Sequence, residues 1–266
     1  MKVLMVGDIT GRPGRRVLMR FLPHLRQKFE VDFVIANGEN AAGGTGLTKA
    51  TVEEIFACGV DVITGGNHTW HHREIYEVLN SHPRVLRPAN YPPGAPGRGS
   101  LVAQGPRGQR VGVVNLQGRV FMQELEDPFR VGLEEVEKLR EETPLIFVDI
   151  HAEATSEKMA LAWFLDGKVS AVLGTHTHVQ TADERILPGG TAYITDVGMT
   201  GPRDGIIGME REEVIQRFLT QLPVRFQVAK GTAQLDAVLV EVDEQTGKAL
   251  AIQRIHLVEG FGEMDP

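Results

Sequence analysis

Short apolar runs alternate with amphipathic stretches along most of this chain, and this alternation limits its fold more than any other feature. The apolar runs are bounded by Gly, Asp, Asn or His and predict buried strands at Val3–Val6, Phe33–Ala36, Val60–Thr64, Val111–Asn115, Leu145–Asp149, Ser170–Leu173 and Ala192–Thr195. The amphipathic stretches predict helices at Pro13–Phe29, Lys49–Cys58, His71–Asn80, Gly132–Glu142, Ser156–Phe164 and Arg211–Thr220. Pro13 suits a first helical turn, and Thr48 and Thr69 are candidate N-caps of the next two helices. Strands that alternate with helices in this way predict an α/β fold built on layered sheets.

Two segments depart from this alternation. Residues Pro88–Gly108 are rich in Pro and Gly and predict a long surface loop or a hairpin. Residues Pro223–Leu257 alternate apolar and polar side chains over three runs, with a hairpin turn at Asp243–Gly247, so we expect an antiparallel end that closes a sheet. Because no segment has the composition of a linker, we predict a single domain over residues 1–266.

The residues that follow the predicted strands are of types that bind metals or move protons. In open α/β sheets, ligands bind outside the carboxyl ends of the strands, so these side chains are expected to meet at one edge. Coincidence explains one or two such strand ends well, but it explains the whole series poorly. The series, in chain order, is Asp8, Glu39, Asn40, Asn67, His68, His151, His176 and His178.

The most informative pair is in Gly174-Thr175-His176-Thr177-His178, directly after an apolar run. Histidines two apart on an extended segment point in opposite directions, so one pair can serve two adjacent metal ions, or one metal and one substrate. Neutral imidazole is a common ligand of zinc, iron and manganese-type ions. The alternative for this pair is a surface loop with two solvated histidines.

Other members of the series also have structural alternatives when taken singly. Asp8 is of a type common in turns and helix caps, Asn40 is typical of turns, and His151 can be a hydrogen-bonded core histidine. Glu39 is more specific, because a carboxylate at a buried strand end needs a partner. Gly66 and the glycine before it allow the backbone to approach a ligand closely.

Composition excludes some classes of function. The net charge of −7 argues against a broad nucleic-acid surface, although a local cationic site for a small anion stays open. Arg12, Arg15 and Arg16 are interpreted as a solvated helix face in preference to a phosphate site. The only cysteine is Cys58, which excludes an intrachain disulfide. No apolar run is long enough for a membrane span and the first residues are too short for a signal peptide, so a cytoplasmic protein is expected.

Taken together, the motifs resemble those of a known family. Gly7-Asp8, Gly38-Glu39-Asn40, Gly66-Asn67-His68, a lone His151 and Gly174–His178 resemble the motifs of the calcineurin-like metallophosphoesterase superfamily. The segments Asn115–Gly118 and Thr195–Pro202 extend the likeness. The superfamily's Asp-x-His is Asp8-Ile9-Thr10 here, and Glu39 stands where the bridging aspartate is usual. These departures resemble the YmdB-type branch of bacterial phosphodiesterases, in which Asn40 would stand in for the missing histidine.

The resemblance implies a four-layer α/β sandwich, with two mixed sheets face to face and helices outside. It implies a two-metal site in which Asp8, Glu39, Asn40 and His178 hold one ion, Glu39, Asn67, His151 and His176 hold the other, and His68 is the general acid. It also implies iron or manganese ions, with zinc as an alternative, small cyclic nucleotides as substrates, notably 2′,3′-cyclic ones, and a homo-oligomer.

Elementary chemistry agrees with this expectation. Two divalent ions exceed the charge of Asp8 and Glu39 by about +2, which suits a phosphate and a bridging hydroxide. Nitrogen and oxygen ligands without a thiolate fit iron, manganese or zinc. The leading hypothesis is therefore a dinuclear phosphodiesterase for small cyclic nucleotides. The alternatives are a phosphomonoesterase, protein phosphatase or nuclease at the same site, or a regulatory protein that binds a phosphorylated ligand with little turnover.

Overall fold

The computed structural model of the chain describes residues 1–260, so the last six residues of the predicted domain lie outside the described part. The strands of the described part are Lys2–Val6 (β1), Asp8–Ile9 (β2), Phe33–Asn37 (β3), Val62–Thr64 (β4), Ser100–Gln104 (β5), Arg110–Gln117 (β6), Ile146–His151 (β7), Ala171–Thr175 (β8), Arg185–Ile186 (β9), Ala192–Ile194 (β10), Met199–Pro202 (β11), Ala233–Val242 (β12) and Ala249–Val258 (β13). The helices are Gly11–Phe29 (α1), Lys49–Ala57 (α2), Ile75–Ser81 (α3), Pro128–Arg140 (α4), Thr155–Phe164 (α5) and Arg211–Thr220 (α6).

The first sheet is mixed and combines both ends of the chain. Strands β1, β3 and β4 run parallel, with Val3 opposite Phe33. On its other side β1 pairs antiparallel with β12, which forms a long hairpin with β13. Strand β11 also pairs with β12 and carries the short strand β2 parallel to it, so that Asp8 lies opposite Met199.

The second sheet is also mixed and has the order β5-β6-β7-β8-β10-β9. Its central strands β6, β7, β8 and β10 are parallel, while β5 and β9 are antiparallel at the two edges. In both sheets the parallel strands therefore present their carboxyl ends together, and the polar series predicted from the sequence lies at these strand ends and in the loops that follow them.

The strand side chains divide the molecule into layers. In β1, Val3 and Met5 face a core shared by the two sheets, whereas Leu4 and Val6 face a core beneath α1, because successive residues of a strand point to opposite faces. A third core lies between the second sheet and helices α4 and α5. The fold is thus α/β with two mixed sheets packed face to face and helices outside, as predicted.

Local signals explain several element ends. Pro13 lies in the first turn of α1, and the Thr48 side chain caps α2 by accepting from the Thr51 backbone N–H, both as predicted. The predicted role of Thr69 as a cap is wrong. Its hydroxyl instead closes a turn on Gly66, and α3 begins only at Ile75.

The two segments that depart from the alternation both contribute strands. Residues 88–108 contain β5, whose antiparallel pairing with β6 makes this region a hairpin preceded by a loop. Of the three runs predicted after Pro223, the last two form β12 and β13, while the first forms only a single bridge between Val228 and Met209. No helix within residues 1–260 has the length and apolarity needed to cross a membrane.

Candidate metal centre

The polar series meets in the groove where the carboxyl ends of the two sheets face each other. Strand β2 and the loops after β3 and β4 supply its members from the first sheet, and β7 and the loop after β8 supply the three histidines from the second. The structure brings every member of the predicted series into this groove: Asp8, Glu39, Asn40, Asn67, His68, His151, His176 and His178.

One group converges on Nε2 of the fully buried His151. This atom lies 3.0 Å from Oδ1 of Asn67, 3.1 Å from Nδ1 of His176 and 3.2 Å from Oε1 of Glu39. Glu39 is also buried, and His176 is partly exposed at the mouth of the groove. The donor atoms of Glu39, His151 and His176 lie within 4.8 Å of one another, which is the spacing expected around a metal ion.

In His151 and His176, the ring nitrogen that points away from the group forms a hydrogen bond or ion pair, and this determines which nitrogen keeps its lone pair toward the group. The Thr175 hydroxyl donates to Asp149, so Nδ1 of His151, 2.9 Å from that hydroxyl, donates to it and leaves a lone pair on Nε2. Nε2 of His176 lies 3.2 Å from the Glu153 carboxylate, which leaves the lone pair on Nδ1. Two imidazole lone pairs, a carboxylate and an amide oxygen therefore meet, and only a positive charge can satisfy them together.

The pKa values within the group show the same need for a positive charge. Burial favours the neutral ring of His151, but the adjacent Glu39 carboxylate outweighs it and raises the pKa of His151 to about 9. Burial alone would raise the pKa of Glu39, yet the charge of His151 holds it well below its usual range. Burial and the neighbouring His151 lower the pKa of His176 to about 3. The pocket accepts one extra positive charge, and a divalent ion carries that charge without a proton.

A second group surrounds the carboxylate of Asp8. Oδ2 of Asp8 accepts from the backbone N–H of His176 at 3.1 Å, whereas its buried Oδ1 has no hydrogen-bond partner among the described residues. Nδ1 of His178 donates to the carbonyl of Ile207 at 2.9 Å, which leaves Nε2 facing Asp8 Oδ1 at 3.8 Å. Burial raises the pKa of Asp8 to about 6. An orphaned buried carboxylate oxygen opposite an imidazole lone pair fits a second cation.

The buried Asn40 connects the two groups to His68, which lies on the solvent side of the groove. The Asn40 amide nitrogen lies 3.0 Å from Glu39 Oε1 and 3.1 Å from His178 Nε2, and its oxygen lies 2.8 Å from Nδ1 of His68. Because metals bind amide oxygen, Asn40 in this orientation supports His68, and its role as a ligand stays a prediction. The His68 side chain is 38% exposed, so the ring is accessible to a ligand in the groove.

The loop that carries His176 and His178 is not extended, so the expectation of an extended segment is wrong. Both residues have left-handed backbone conformations, with φ of 100° and 65°. Such conformations cost about 1–3 kcal/mol each and persist only where surrounding contacts enforce them. Here Asp196 accepts from both the N–H and the hydroxyl of Thr177, at 3.0 and 2.7 Å, and Lys158 donates to the same Asp196 oxygen at 2.8 Å.

Two supporting groups had no role in the sequence prediction. Lys158 and Asp196 are fully buried, and Lys158 precedes apolar residues of α5 at helical spacing, which is the sequence signal of a charged residue on a core-facing stripe. Asp149 lies inside a buried strand, where Thr64, Thr175 and Asn37 all donate to it. Burial raises the pKa of Asp149. These groups orient the histidines, which is how side chains behind a metal site tune its ligands.

Comparison with known proteins gives matches over nearly the whole chain. The model of a family described as YmdB-like protein matches residues 4–255. The 2′,3′-cyclic-nucleotide 2′-phosphodiesterase of Bacillus subtilis (strain 168) is 52% identical over 255 residues, which cover 96% of each chain. The crystal structure of a hypothetical protein from Thermus thermophilus has a TM-score of 0.91 at 46% identity and covers 97% of this chain and 99% of that one.

A more distant structural match concerns the fold alone. The calcineurin-like phosphoesterase YfkN of Bacillus subtilis has a TM-score of 0.55 at 10% identity, over 97% of this chain and 90% of that chain. The two proteins share the arrangement of two mixed sheets flanked by helices.

Proposed function

The chain belongs to the YmdB-like family, and from that premise we propose that it is a metal-dependent phosphodiesterase that hydrolyses 2′,3′-cyclic nucleoside monophosphates. The observation that carries the proposal is the convergence of nitrogen and oxygen ligand atoms on His151 Nε2, beside the unpartnered Asp8 Oδ1, with His68 at the open side of the same groove. Sites that need added positive charge and lie beside a proton donor suit phosphate esters, whose oxygens become more negative during displacement.

We assign Glu39, Asn67, His151 and His176 to one ion, and Asp8, Glu39, Asn40 and His178 to the other. Two divalent ions there would supply an activated water and offset the charge on the phosphoryl oxygens. Their nitrogen and oxygen ligands support iron or manganese, with zinc as an alternative. The homo-oligomer, the single domain and the cytoplasmic location stay predictions.

His68 supplies the proton for the leaving group. In its doubly protonated form, Nδ1–H is held by Asn40 Oδ1 at 2.8 Å and Glu39 Oε1 at 3.2 Å, so the ring is fixed and Nε2–H is free to donate. Water adds to phosphorus and releases one proton to solvent, the bond from phosphorus to the ribose 2′-oxygen breaks, and that oxygen takes the proton from His68, which regains one from solvent. The product is a nucleoside 3′-phosphate. A positioned general acid of this kind contributes about 10²–10⁴-fold.

The experiment that tests this proposal is turnover of a substrate panel by purified protein of measured metal content. We expect hydrolysis of 2′,3′-cyclic AMP, with 3′,5′-cyclic AMP, bis(p-nitrophenyl) phosphate and a monoester as comparisons. His68→Ala should lower kcat by about 10²–10⁴-fold with both metals retained, whereas His71→Ala, at the exposed neighbouring histidine, should not. Protein that binds two metals and leaves the diesters intact would overturn the proposal, and preferred monoester turnover would replace it with a phosphomonoesterase.

The two histidines of the loop after β8 offer a separate test of the ligand assignment. His176→Ala should weaken one ion and His178→Ala the other, because their facing nitrogens belong to different groups. Metal titration of each variant should therefore show the loss of one tight site, and the lost site should differ between the two variants. Loss of the same ion in both variants would contradict the assignment.

A further inference from the structure

A cationic cleft lies at the N-terminal end of α1. Its volume is about 780 Å³, within the range of about 300–1,000 Å³ that small-ligand sites occupy. Arg12 and Arg16 of α1 line one side, and Arg225, Phe226 and Lys230 line the other. These residues define the cationic cleft.

The charge of the cationic cleft is largely uncompensated. Arg16 forms a two-point ion pair with Glu259, at 2.7 and 3.1 Å. The side chains of Arg12, Arg225 and Lys230 have no hydrogen bond or ion pair with any residue in the range 1–260. In a chain with a net charge of −7, cations that gather around one cleft without acidic partners favour an anionic ligand.

The carboxylates beside the cleft, Glu213 and Asp204, form no ion pair with these cations. Glu213 accepts from the backbone N–H of Gln227, and Asp204 accepts from that of Thr232, so both are already bound to backbone donors. Arg15, the remaining arginine of this helix turn, is engaged away from the cleft with Glu54 and the carbonyl of Ala41. The sequence predicted a solvated helix face for Arg12, Arg15 and Arg16. In the structure Arg15 and Arg16 form ion pairs, whereas the Arg12 side chain has no partner in the range 1–260.

Backbone contacts join the cationic cleft to the segments that carry the candidate metal centre. The N–H of Gly11, next to Arg12, donates to the carbonyl of Asn40 at 2.9 Å. Val228 lines the cleft and packs against Gly11 and Gly44, which leaves no room there for a side chain. Next to it, the Ala229 N–H donates to the carbonyl of Gly208, whose neighbour Ile207 holds His178. The cationic cleft is therefore next to the segments that hold Asn40 and His178.

We propose that the cationic cleft binds a second phosphate of the substrate, so that the preferred substrates are short oligoribonucleotides that end in a 2′,3′-cyclic phosphate. This inference rests on the proposed phosphodiesterase function and extends it. Guanidinium groups bind phosphate through paired, charge-assisted hydrogen bonds. Phe226 is 44% exposed at the rim and offers a face on which a base can stack. Cations combined with an exposed aromatic ring are typical of sites for single-stranded nucleic acid.

The test compares a dinucleotide that ends in a 2′,3′-cyclic phosphate with 2′,3′-cyclic AMP on the metal-loaded enzyme. We expect kcat/KM to favour the dinucleotide, and we expect the ratio of the two kcat/KM values to fall about tenfold in the variant R12Q/R225Q/K230Q. The control is Lys168→Gln, an exposed lysine outside the cleft, together with wild-type enzyme at raised salt. Added salt should reduce kcat/KM more steeply for the dinucleotide, since it makes one more phosphate contact.

The outcomes separate this inference from the proposed function. A wild-type enzyme that hydrolyses 2′,3′-cyclic AMP without preference for the dinucleotide would overturn the inference and leave the function intact. A preference that survives in the triple variant would also overturn it. An enzyme inactive on both substrates would overturn the function itself. Because the three substituted side chains are exposed, the mononucleotide activity of the variant reports whether it is folded.

Discussion

Replacement of Lys158 by methionine tests whether a buried ion pair holds the histidine loop. The change keeps a side chain of similar size and leaves Asp196 buried without its countercharge. Loss of one partner of such a pair costs about 3–5 kcal/mol. Asp196 retains the donors of Thr177 and the N–H of Gly198, so we expect the lower end, about 3 kcal/mol. For a chain of this length that corresponds to a fall in Tm of about 6 °C.

Urea unfolding in the presence of a chelator measures this cost without contributions from metal binding. The midpoint should fall at unchanged m-value, which indicates a change in stability alone. The double variant K158M/D196N removes the uncompensated charge and should recover more than half of the loss. Since Thr177 lies between the two histidines, metal affinity should also weaken by about 10–100-fold in Lys158→Met.

Lys168→Met serves as the control, since this exposed lysine lies beyond the end of the same helix and should cost less than about 0.5 kcal/mol. A loss below about 1 kcal/mol for Lys158→Met, or a double variant no more stable than the single one, would refute the reasoning.

Three further predictions concern the site and its surroundings. Gly66→Ala should abolish metal binding and activity, because a Cβ there would overlap the Glu39 and His151 side chains; metal content and turnover measure this. Removal of metal should lower stability by about 2.7 kcal/mol relative to protein at a free metal concentration about 100 times Kd, measured by thermal unfolding. Burial, together with Arg84, lowers the pKa of His82, so the unfolded chain binds the proton more tightly than the folded chain. Stability should therefore fall as the pH decreases through about 6.5, and less steeply in His82→Gln, measured by urea unfolding at about pH 7.5 and 5.5.

Each of these three predictions would be contradicted by a specific result. A Gly66→Ala protein with full metal content would mean that the loop does not approach His151 this closely. Equal melting temperatures with and without metal would show that no ion binds the folded state preferentially. An unchanged pH slope in His82→Gln, equal to that of the exposed control His71→Gln, would exclude His82 as its source.

The strand-end residues could be predicted because the sequence reports directly on parallel strands. Each buried run ends where its polar residue begins, and parallel pairing brings the ends of β3 and β4 to one edge of the first sheet, so the meeting of Glu39 and Asn67 follows from the strands. His151 reaches them from the second sheet, whose parallel strands end at the same groove. Strands β2 and β11 could not be predicted in the same way. They are too short for a periodic pattern, and their pairing joins Asp8 to Met199 across most of the chain.

The conformation of the histidine loop could not be predicted for a related reason. The left-handed backbone at His176 and His178 depends on Asp196, which follows in a later segment, and on Lys158, which precedes it on a helix. The orientation of the Asn40 amide likewise depends on His68 and His178, which come from different sheets. Propensity and periodicity describe neighbours in sequence, whereas these features are set by partners in space.

The pairing of β1 with β12 has a consequence for how the chain is made. During synthesis β1 leaves the ribosome before β12, which covers one of its edges and follows more than two hundred residues later. Until then the apolar strand Lys2–Val6 has a free edge, of the kind that pairs with other chains. Chains truncated before residue 233 are therefore expected to aggregate, and the nascent chain is expected to need a chaperone until the hairpin of β12 and β13 is complete.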